Sequence, residues 1–302
     1  MRKTPAWLAT ALLLPGLATA DGELGHKILG AVGLDAGSQA PEGIYAAQRF
    51  TRYSADELMN RRGDRVPIQG LRLDGYATAL GVAGTYKPAG GSLPYFSAAF
   101  AVPVAWVSMH ADLPPTSLDR FGLGDIFVEP LKVGWSLPHL DAVASYGFYA
   151  PTGQANRKGL GQPQWTQQFS LGGTAFLDEE RAFRLSLLSS YNLYERKIGI
   201  DITRGDSVQI HGGIGGRWFR ILDAGVVGYA LWQVGDDSGP DLPPALRGSR
   251  ERVYGVGPEI GIAIPAIRGK LTARYEWDLG ARSRPEGQVL VVGLSFLAWQ
   301  PE

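Results

Sequence analysis

The stretch from Lys270 to Leu279 alternates strictly between apolar and polar side chains. The odd-numbered residues, which include Tyr275 and Trp277, are apolar, and the even-numbered residues, which include Arg274 and Glu276, are polar or charged. Because successive side chains of a β-strand point to opposite faces, the pattern predicts a strand with one apolar face and one polar face. The apolar face meets either a protein core or the interior of a lipid bilayer.

The first twenty residues favour export from the cytoplasm. A basic start is followed by a short apolar run from Trp7 to Leu17, and Ala18-Thr19-Ala20 matches the small-residue pattern of a secretory cleavage site. We interpret residues 1–20 as a signal peptide and expect the mature chain to begin at Asp21. No later segment contains the roughly eighteen consecutive apolar residues that a membrane-spanning helix requires.

The composition narrows the classes of function. The sequence contains no cysteine, which excludes disulfides, thiol catalysis and cysteine-bound metal. Basic and acidic residues are equal in number, at 29 each, and loss of the signal peptide leaves a slightly acidic chain. We therefore expect no nucleic acid partner.

Short alternating or apolar segments bounded by turn residues recur along the chain, and they predict twelve β-strands. The predicted strands are 43–53, 71–86, 94–108, 123–136, 140–150, 165–177, 182–196, 208–219, 224–234, 252–264, 270–279 and 288–299. We find no internal repeat and no linker that would divide them. Regular strands and 41 glycines suit one large barrel, so we predict an all-β fold, a transmembrane antiparallel β-barrel over residues 43–302.

The predicted connections alternate between long and short. If the short ones lie at one end of the barrel, both chain termini fall at that end. Outer-membrane barrels have this layout, with short periplasmic turns and longer extracellular loops. Every tryptophan after the signal peptide also lies near a predicted strand end, which is typical of the aromatic girdles at the two membrane interfaces.

Residues 21–42 form an N-terminal segment ahead of the first predicted strand. The stretch from Leu24 to Leu34 is mildly amphipathic. The segment either enters the lumen as a plug or extends into the periplasm, and the sequence leaves both arrangements open.

Polar side chains on three of the predicted strands are candidates for the lining of the lumen. These candidates are Arg184, Gln209, His211, Arg217, Lys270, Arg274, Glu276 and Asp278. They either neutralise one another as a structural network or select the solute, and we favour the structural role.

The sequence offers little support for an enzyme. It contains neither an H-E-x-x-H nor a G-x-S-x-G motif, and its four histidines are scattered along the chain. His211 and Ser207 could serve as a base and a nucleophile, but a histidine on the polar face of a barrel strand more often lines the pore. We predict no catalytic residues, no cofactor and no metal site.

Two motifs carry a resemblance to a known family. Phe121 to Trp135 reads F-G-L-G-D-I-F-V-E-P-L-K-V-G-W, and Tyr146 to Gly153 reads Y-G-F-Y-A-P-T-G. With Pro41 to Tyr53 and Arg61 to Pro67, they resemble the Gram-negative outer-membrane proteins of the meta-pathway of phenol degradation. The resemblance implies a transporter of aromatic or other hydrophobic compounds.

The chemistry of four residues in the first motif predicts a structural role for them, independently of the resemblance. Gly122 and Gly124 permit close approach of the backbone, and Asp125 can accept hydrogen bonds from nearby backbone amides. Pro130 cannot donate a ladder hydrogen bond, which favours a bulge or a lateral gap in the wall. We expect these positions to shape the wall.

The sequence therefore predicts a passive outer-membrane channel for small hydrophobic or aromatic compounds. Its expected partners are outer-membrane lipid and the solute. The alternatives are an envelope barrel with a structural or adhesive role, acting through loops 54–70 and 235–251, and a lipid-modifying barrel enzyme.

Overall fold

The chain folds into a sheet of antiparallel strands joined mainly by turns and loops. The computed structural model describes His26 and residues 29–89, 93–153 and 160–301; the predicted signal peptide lies outside them. The strands are β1 (Gly43–Met59), β2 (Arg72–Tyr86), β3 (Tyr95–Ala111), β4 (Thr116–Leu123), β5 (Ile126–Ser136), β6 (Leu140–Ala150), β7 (Thr166–Phe176), β8 (Arg184–Tyr194), β9 (Ser207–Trp218), β10 (Leu222–Gln233), β11 (Arg252–Ile264), β12 (Gly269–Arg282) and β13 (Arg284–Trp299). Two 3₁₀ turns, Pro244–Leu246 and Pro265–Ile267, complete the regular structure of these residues. Within the described ranges, no helix is long and apolar enough to cross a bilayer.

The sheet closes on itself. Every pair of consecutive strands except β4 and β5 is hydrogen-bonded, and β1 pairs with β13 to complete the ring. The segments β4 and β5 share one place in the wall, because β4 pairs with residues 104–111 of β3 and β5 pairs with residues 95–101. The described strands therefore occupy twelve places around a closed antiparallel barrel, which confirms the predicted fold class.

The structure corrects three predicted boundaries. The predicted loop 109–122 contains the last three residues of β3 and almost all of the strand β4. The predicted loop 54–70 begins only after Met59, where β1 ends. The connection predicted at 280–287 is reduced to a tight turn at Ser283 between β12 and β13. In each case the strands continue beyond the apolar band of the wall. Polar residues there, such as Asp119 and Arg120, pair with the neighbouring strand through backbone hydrogen bonds. Side-chain hydropathy does not reveal such pairing.

The distribution of side chains over the two faces of the wall is the reverse of that in a water-soluble protein: charged residues are buried inside, and apolar residues are exposed outside. On β12, Arg274, Glu276 and Asp278 are buried, whereas Trp277 and Leu279 are about half exposed. The same outward apolar face is found on most other strands, at Phe50, Leu80, Phe100, Leu131, Phe169, Leu185, Ile214, Val226 and Ile260. A closed barrel with charges inside and a continuous apolar surface outside has lipid as its apolar medium.

The connections sort by length, with one exception. The turns after β5, β9 and β11 span only a few residues at the end where β1 begins and β13 ends. The connections after β6, β8 and β10 are longer and lie at the opposite end, whereas the one after β12 is tight. This arrangement corresponds to short periplasmic turns and longer extracellular loops.

The outward face generates a testable prediction. Leu187 lies near the middle of β8 and is 52% exposed, so Leu187→Arg would place a charge in the hydrocarbon. We expect a loss of about 2–4 kcal/mol in the free energy of unfolding, measured with urea in lipid vesicles. Ile198→Arg, in the connection between β8 and β9, is the matched control, and a cost of only about 0–1 kcal/mol is expected there. Equal costs would contradict the assignment of the outward face to lipid.

Candidate functional site

The N-terminal segment runs through the inside of the barrel before β1 begins. Leu34 is completely buried, and its side chain packs where Gly213, Gly215 and Gly225 present bare backbone. A Cβ atom on any of these three glycines would lie within about 3.2 Å of the leucine methyl group. Since only glycine leaves room for the Leu34 side chain at these positions, β9 and β10 together form a pocket for it.

A cluster of charges fixes the segment next to Leu34. The carboxylate of Asp35 lies 2.5 Å from Lys270 Nζ and 3.0 Å from Arg184 Nε. Both cations also contact Asp223, which pairs with Arg217 at 2.8 Å. Enclosure in the lumen raises the pKa of Asp35, but Lys270 and Arg184 outweigh this effect and hold the pKa below its ordinary value. The carboxylate therefore stays charged and ties the segment to β8 and β12.

Backbone oxygens of the segment accept further hydrogen bonds from the wall. Ser186 Oγ donates to the carbonyl of Gly33 at 3.1 Å, and Arg274 Nη1 donates to the carbonyl of Gly30 at 3.1 Å. Arg274 also pairs with Glu259 at 3.3 Å. These bonds hold the chain against the wall across the lumen.

The described N-terminal end of the segment is held by His26. Its two ring nitrogens lie 2.7 Å from Thr166 Oγ1 and 2.7 Å from Asp125 Oδ2, and the ring stacks on Tyr149 with centroids 4.5 Å apart. Asp125 also accepts a hydrogen bond from the backbone N–H of Gly153 at 2.9 Å. The sequence motif that contains Asp125 thus meets the N-terminal segment, a contact that no pattern in the sequence indicates.

The family-motif positions lie where the wall is irregular. The backbone between Leu123 and Ile126 breaks the strand at Gly124 and Asp125, and the N–H of Gly124 donates to Pro103 O at 2.9 Å. Gly122 pairs with Ala105 on β3. The pairing of β5 with β6 shifts in register between Val128 and Leu131, the stretch that contains Pro130.

The eight predicted lining residues fall into three groups. Arg184, Arg217 and Lys270 belong to the charge cluster around Asp35. Arg274 and Glu276 lie beside Gly30, and Asp278 accepts hydrogen bonds from Tyr53 and Tyr229. Gln209 and His211 line a cavity with no charged partner of their own.

This cavity, of about 410 Å³, lies between the N-terminal segment and the wall. Ala31, Val32 and Ala36 of the segment line one side of it. Small apolar side chains form a second side, at Ala47, Ala79, Ala99, Ala101 and Pro103, with Phe127 and Tyr149 near them. Polar and charged groups form most of the remainder, at Asp35, Arg49, Asp125, Glu129, Lys132, Ser145, Gln168, Ser170, Ser190, Gln209 and His211. The lumen at this level is thus amphipathic.

Sequence reasoning missed Arg49 and Gln168. On β1, Gln48 and Arg52 are exposed on the outer face while Arg49 lies inside, so polar residues occur on both parities of the strand. Gln167 and Gln168 obscure the inward face of β7 in the same way. The cavity itself was not predictable, because it depends on where the N-terminal segment lies.

The structure does not bring His211 and Ser207 together. Ser207 Oγ lies 2.9 Å from Tyr194 Oη and accepts a hydrogen bond from Asn192. His211 Nε2 lies 3.5 Å from Gln209 Oε1. Among the residues that the structure describes, no three His, Asp or Glu side chains group as a metal site would require.

Comparison with solved structures identifies the fold. The crystal structure of an outer membrane channel from Pseudomonas putida F1 superposes with a TM-score of 0.74, at 16% sequence identity, over 86% of this chain and 97% of that chain. The β domain of the Bordetella autotransporter BrkA gives a TM-score of 0.49 at 11% identity, over 85% and 99% of the two chains. Together with the apolar outer face, the fold places the chain in the outer membrane of a Gram-negative bacterium.

Comparison of sequences identifies the family. None of the curated proteins matches the sequence. The model of the family described as "Putative MetA-pathway of phenol degradation" matches residues 55–292, which is most of the barrel, and the chain belongs to this family.

Proposed function

We propose that the chain is a passive outer-membrane channel for small hydrophobic or aromatic compounds. The observation that carries the proposal is the amphipathic cavity inside the barrel, with its wall of alanines, Phe127 and Tyr149. A lumen lined by charge alone would favour hydrated ions and sugars, whereas this wall accepts apolar carbon. The family membership and the outer-membrane channel of similar fold support the same function.

Residues 29–42 act as a plug in this proposal. They occupy the lumen between the short-turn end and the cavity, where Leu34 and Asp35 are held by the wall. Solute therefore passes only where the segment leaves space or when it moves.

Most of the lumen charges have a structural role in this proposal. Arg184, Lys270 and Arg274 each pair with a carboxylate, and such pairs offset the cost of enclosing charge. The chain has no catalytic function in this proposal, since Ser207 and His211 bond to other groups. Its partners are membrane lipid and the solute.

Liposome swelling tests the channel. Purified protein in vesicles should admit 1-phenyl-1,2-ethanediol, a neutral aromatic solute, several times faster than arabinose, a polar solute of similar mass. The expected order follows from the apolar wall of the cavity. Vesicles without protein provide the background rate. Swelling at the background rate for both solutes would contradict transport and favour a structural or adhesive barrel.

A single substitution tests the plug. A Cβ atom on Gly37 would lie 2.1 Å from the backbone oxygen of Gly173, so Gly37→Val cannot keep the segment in place. We expect a severalfold rise in single-channel conductance in planar bilayers, and a similar rise on deletion of residues 29–39.

Gly84→Ala is the matched control for this test, because a Cβ atom there meets nothing within 4 Å. Its conductance should equal that of the unaltered protein. Unchanged conductance in both Gly37→Val and the deletion variant would show that the segment does not limit the pore.

A further inference from the structure

We propose that the lumen cavity is a binding site for a small aromatic carboxylate, with Arg49 as the group that binds the carboxylate. This inference rests on the proposed channel function and names the class of solute. It follows from a lumen arginine that forms no ion pair within the described residues, from the buried donor Gln209 Nε2 that faces the same space, and from the apolar wall beside them.

Arg49 differs from the other lumen cations of the described chain. Arg184, Arg217, Lys270, Arg274 and Arg284 all lie within 4.0 Å of a carboxylate, and Lys132 donates a hydrogen bond to the carbonyl of Ser38 at 3.3 Å. No Asp or Glu of the described residues forms an ion pair with Arg49. Its neighbours across the sheet are Ala79 and Gly293, whose small size leaves the guanidinium open to the cavity.

An unpartnered hydrogen-bond donor on β9, Gln209 Nε2, points to a ligand in the same cavity. Gln209 and His211 are 3% and 5% exposed, and both line it. Among the described residues, Gln209 Nε2 and His211 Nδ1 have no hydrogen-bond partner. Leaving a buried polar group unbonded costs about 1–3 kcal/mol, so a ligand oxygen gains by accepting a hydrogen bond from Gln209 Nε2. His211 Nε2 donates to Gln209 Oε1, so Nδ1 of the neutral ring is an acceptor and does not bind the carboxylate.

The charge balance of the cavity favours an anion. Arg49 lies within electrostatic range of Arg274 and of His211. Of the acidic residues that line the cavity, Asp35 pairs with Lys270, and Asp125 accepts hydrogen bonds from the segment and from backbone amides. The third, Glu129, lies on β5 beside Lys132 of the same strand.

The shape and chemistry of the cavity define the rest of the ligand. A guanidinium binds a carboxylate through two parallel hydrogen bonds, which fixes the orientation of the bound molecule. The wall of Ala47, Ala79 and Ala99 is apolar and carries only small side chains, which leaves room for an aromatic ring. A volume of about 410 Å³ lies within the usual range of small-molecule sites.

Isothermal titration calorimetry in detergent tests the site with benzoate, benzyl alcohol and acetate. Benzyl alcohol keeps the ring and replaces the carboxylate, and acetate keeps the carboxylate without the ring. We expect benzoate to bind the unaltered protein at least tenfold more tightly than either of the others. Equal binding of benzoate and benzyl alcohol would overturn the carboxylate site, and equal binding of benzoate and acetate would overturn the recognition of the ring.

Variants assign the preference to Arg49. Arg49→Gln should abolish the preference for benzoate and leave the binding of benzyl alcohol unchanged, whereas Arg49→Lys should retain part of the preference. Arg52→Gln is the matched control, because Arg52 lies on the outer face of the same strand and contacts Asp74. Circular dichroism and heat-modifiable migration on gels verify that each variant is folded. A preference retained in Arg49→Gln would overturn the proposal.

The swelling assay separates this inference from the proposed function. If 1-phenyl-1,2-ethanediol enters the vesicles and benzoate shows no preferential binding, the channel stands and the carboxylate site is wrong. If 1-phenyl-1,2-ethanediol enters no faster than it enters vesicles without protein, the proposed function itself is wrong.

Discussion

Backbone hydrogen bonding in a medium without water is the constraint on which the structure depends. Every N–H and C=O group within the hydrocarbon must find a partner in the protein, and a strand can satisfy both of its edges only in a closed sheet. Closure by the pairing of β1 with β13 then places alternate side chains inside. Most charges on that inner face pair with one another, as Arg284 and Glu251 do at 2.6 Å, because a pair offsets the cost of enclosing each charge.

The fold was predictable from the sequence because alternate residues of a barrel strand face lipid and the lumen, and they therefore alternate between apolar and polar side chains. The strict alternation from Lys270 to Leu279, together with the predicted signal peptide, the sorted loops and the family motif, assigned Trp277 to lipid and Glu276 to the interior, where the structure has them. The strand β4 was missed since it extends beyond the lipid, where hydropathy no longer distinguishes the two faces. His26 was missed because its partners, Thr166 and Asp125, are more than ninety residues away in sequence.

The interior combines charge pairing with small side chains, and this combination determines how much space remains. Where ion pairs and the N-terminal segment fill the lumen, as around Leu34, nothing as large as a solute fits. Where alanines replace larger residues, at Ala47, Ala79 and Ala99, an amphipathic space is left. Three sheet neighbours contribute these alanines, so the space depends on the register of β1, β2 and β3.

The position of Leu34 and Asp35 has a consequence for how the barrel assembles. The segment that contains them lies inside the ring and leads directly into β1, the strand that completes the ring with β13. Asp35 is paired with Lys270 on β12 and with Arg184 on β8, and these two strands are not neighbours in the sheet. The contacts that fix the segment therefore form only when both strands have taken their places in the ring.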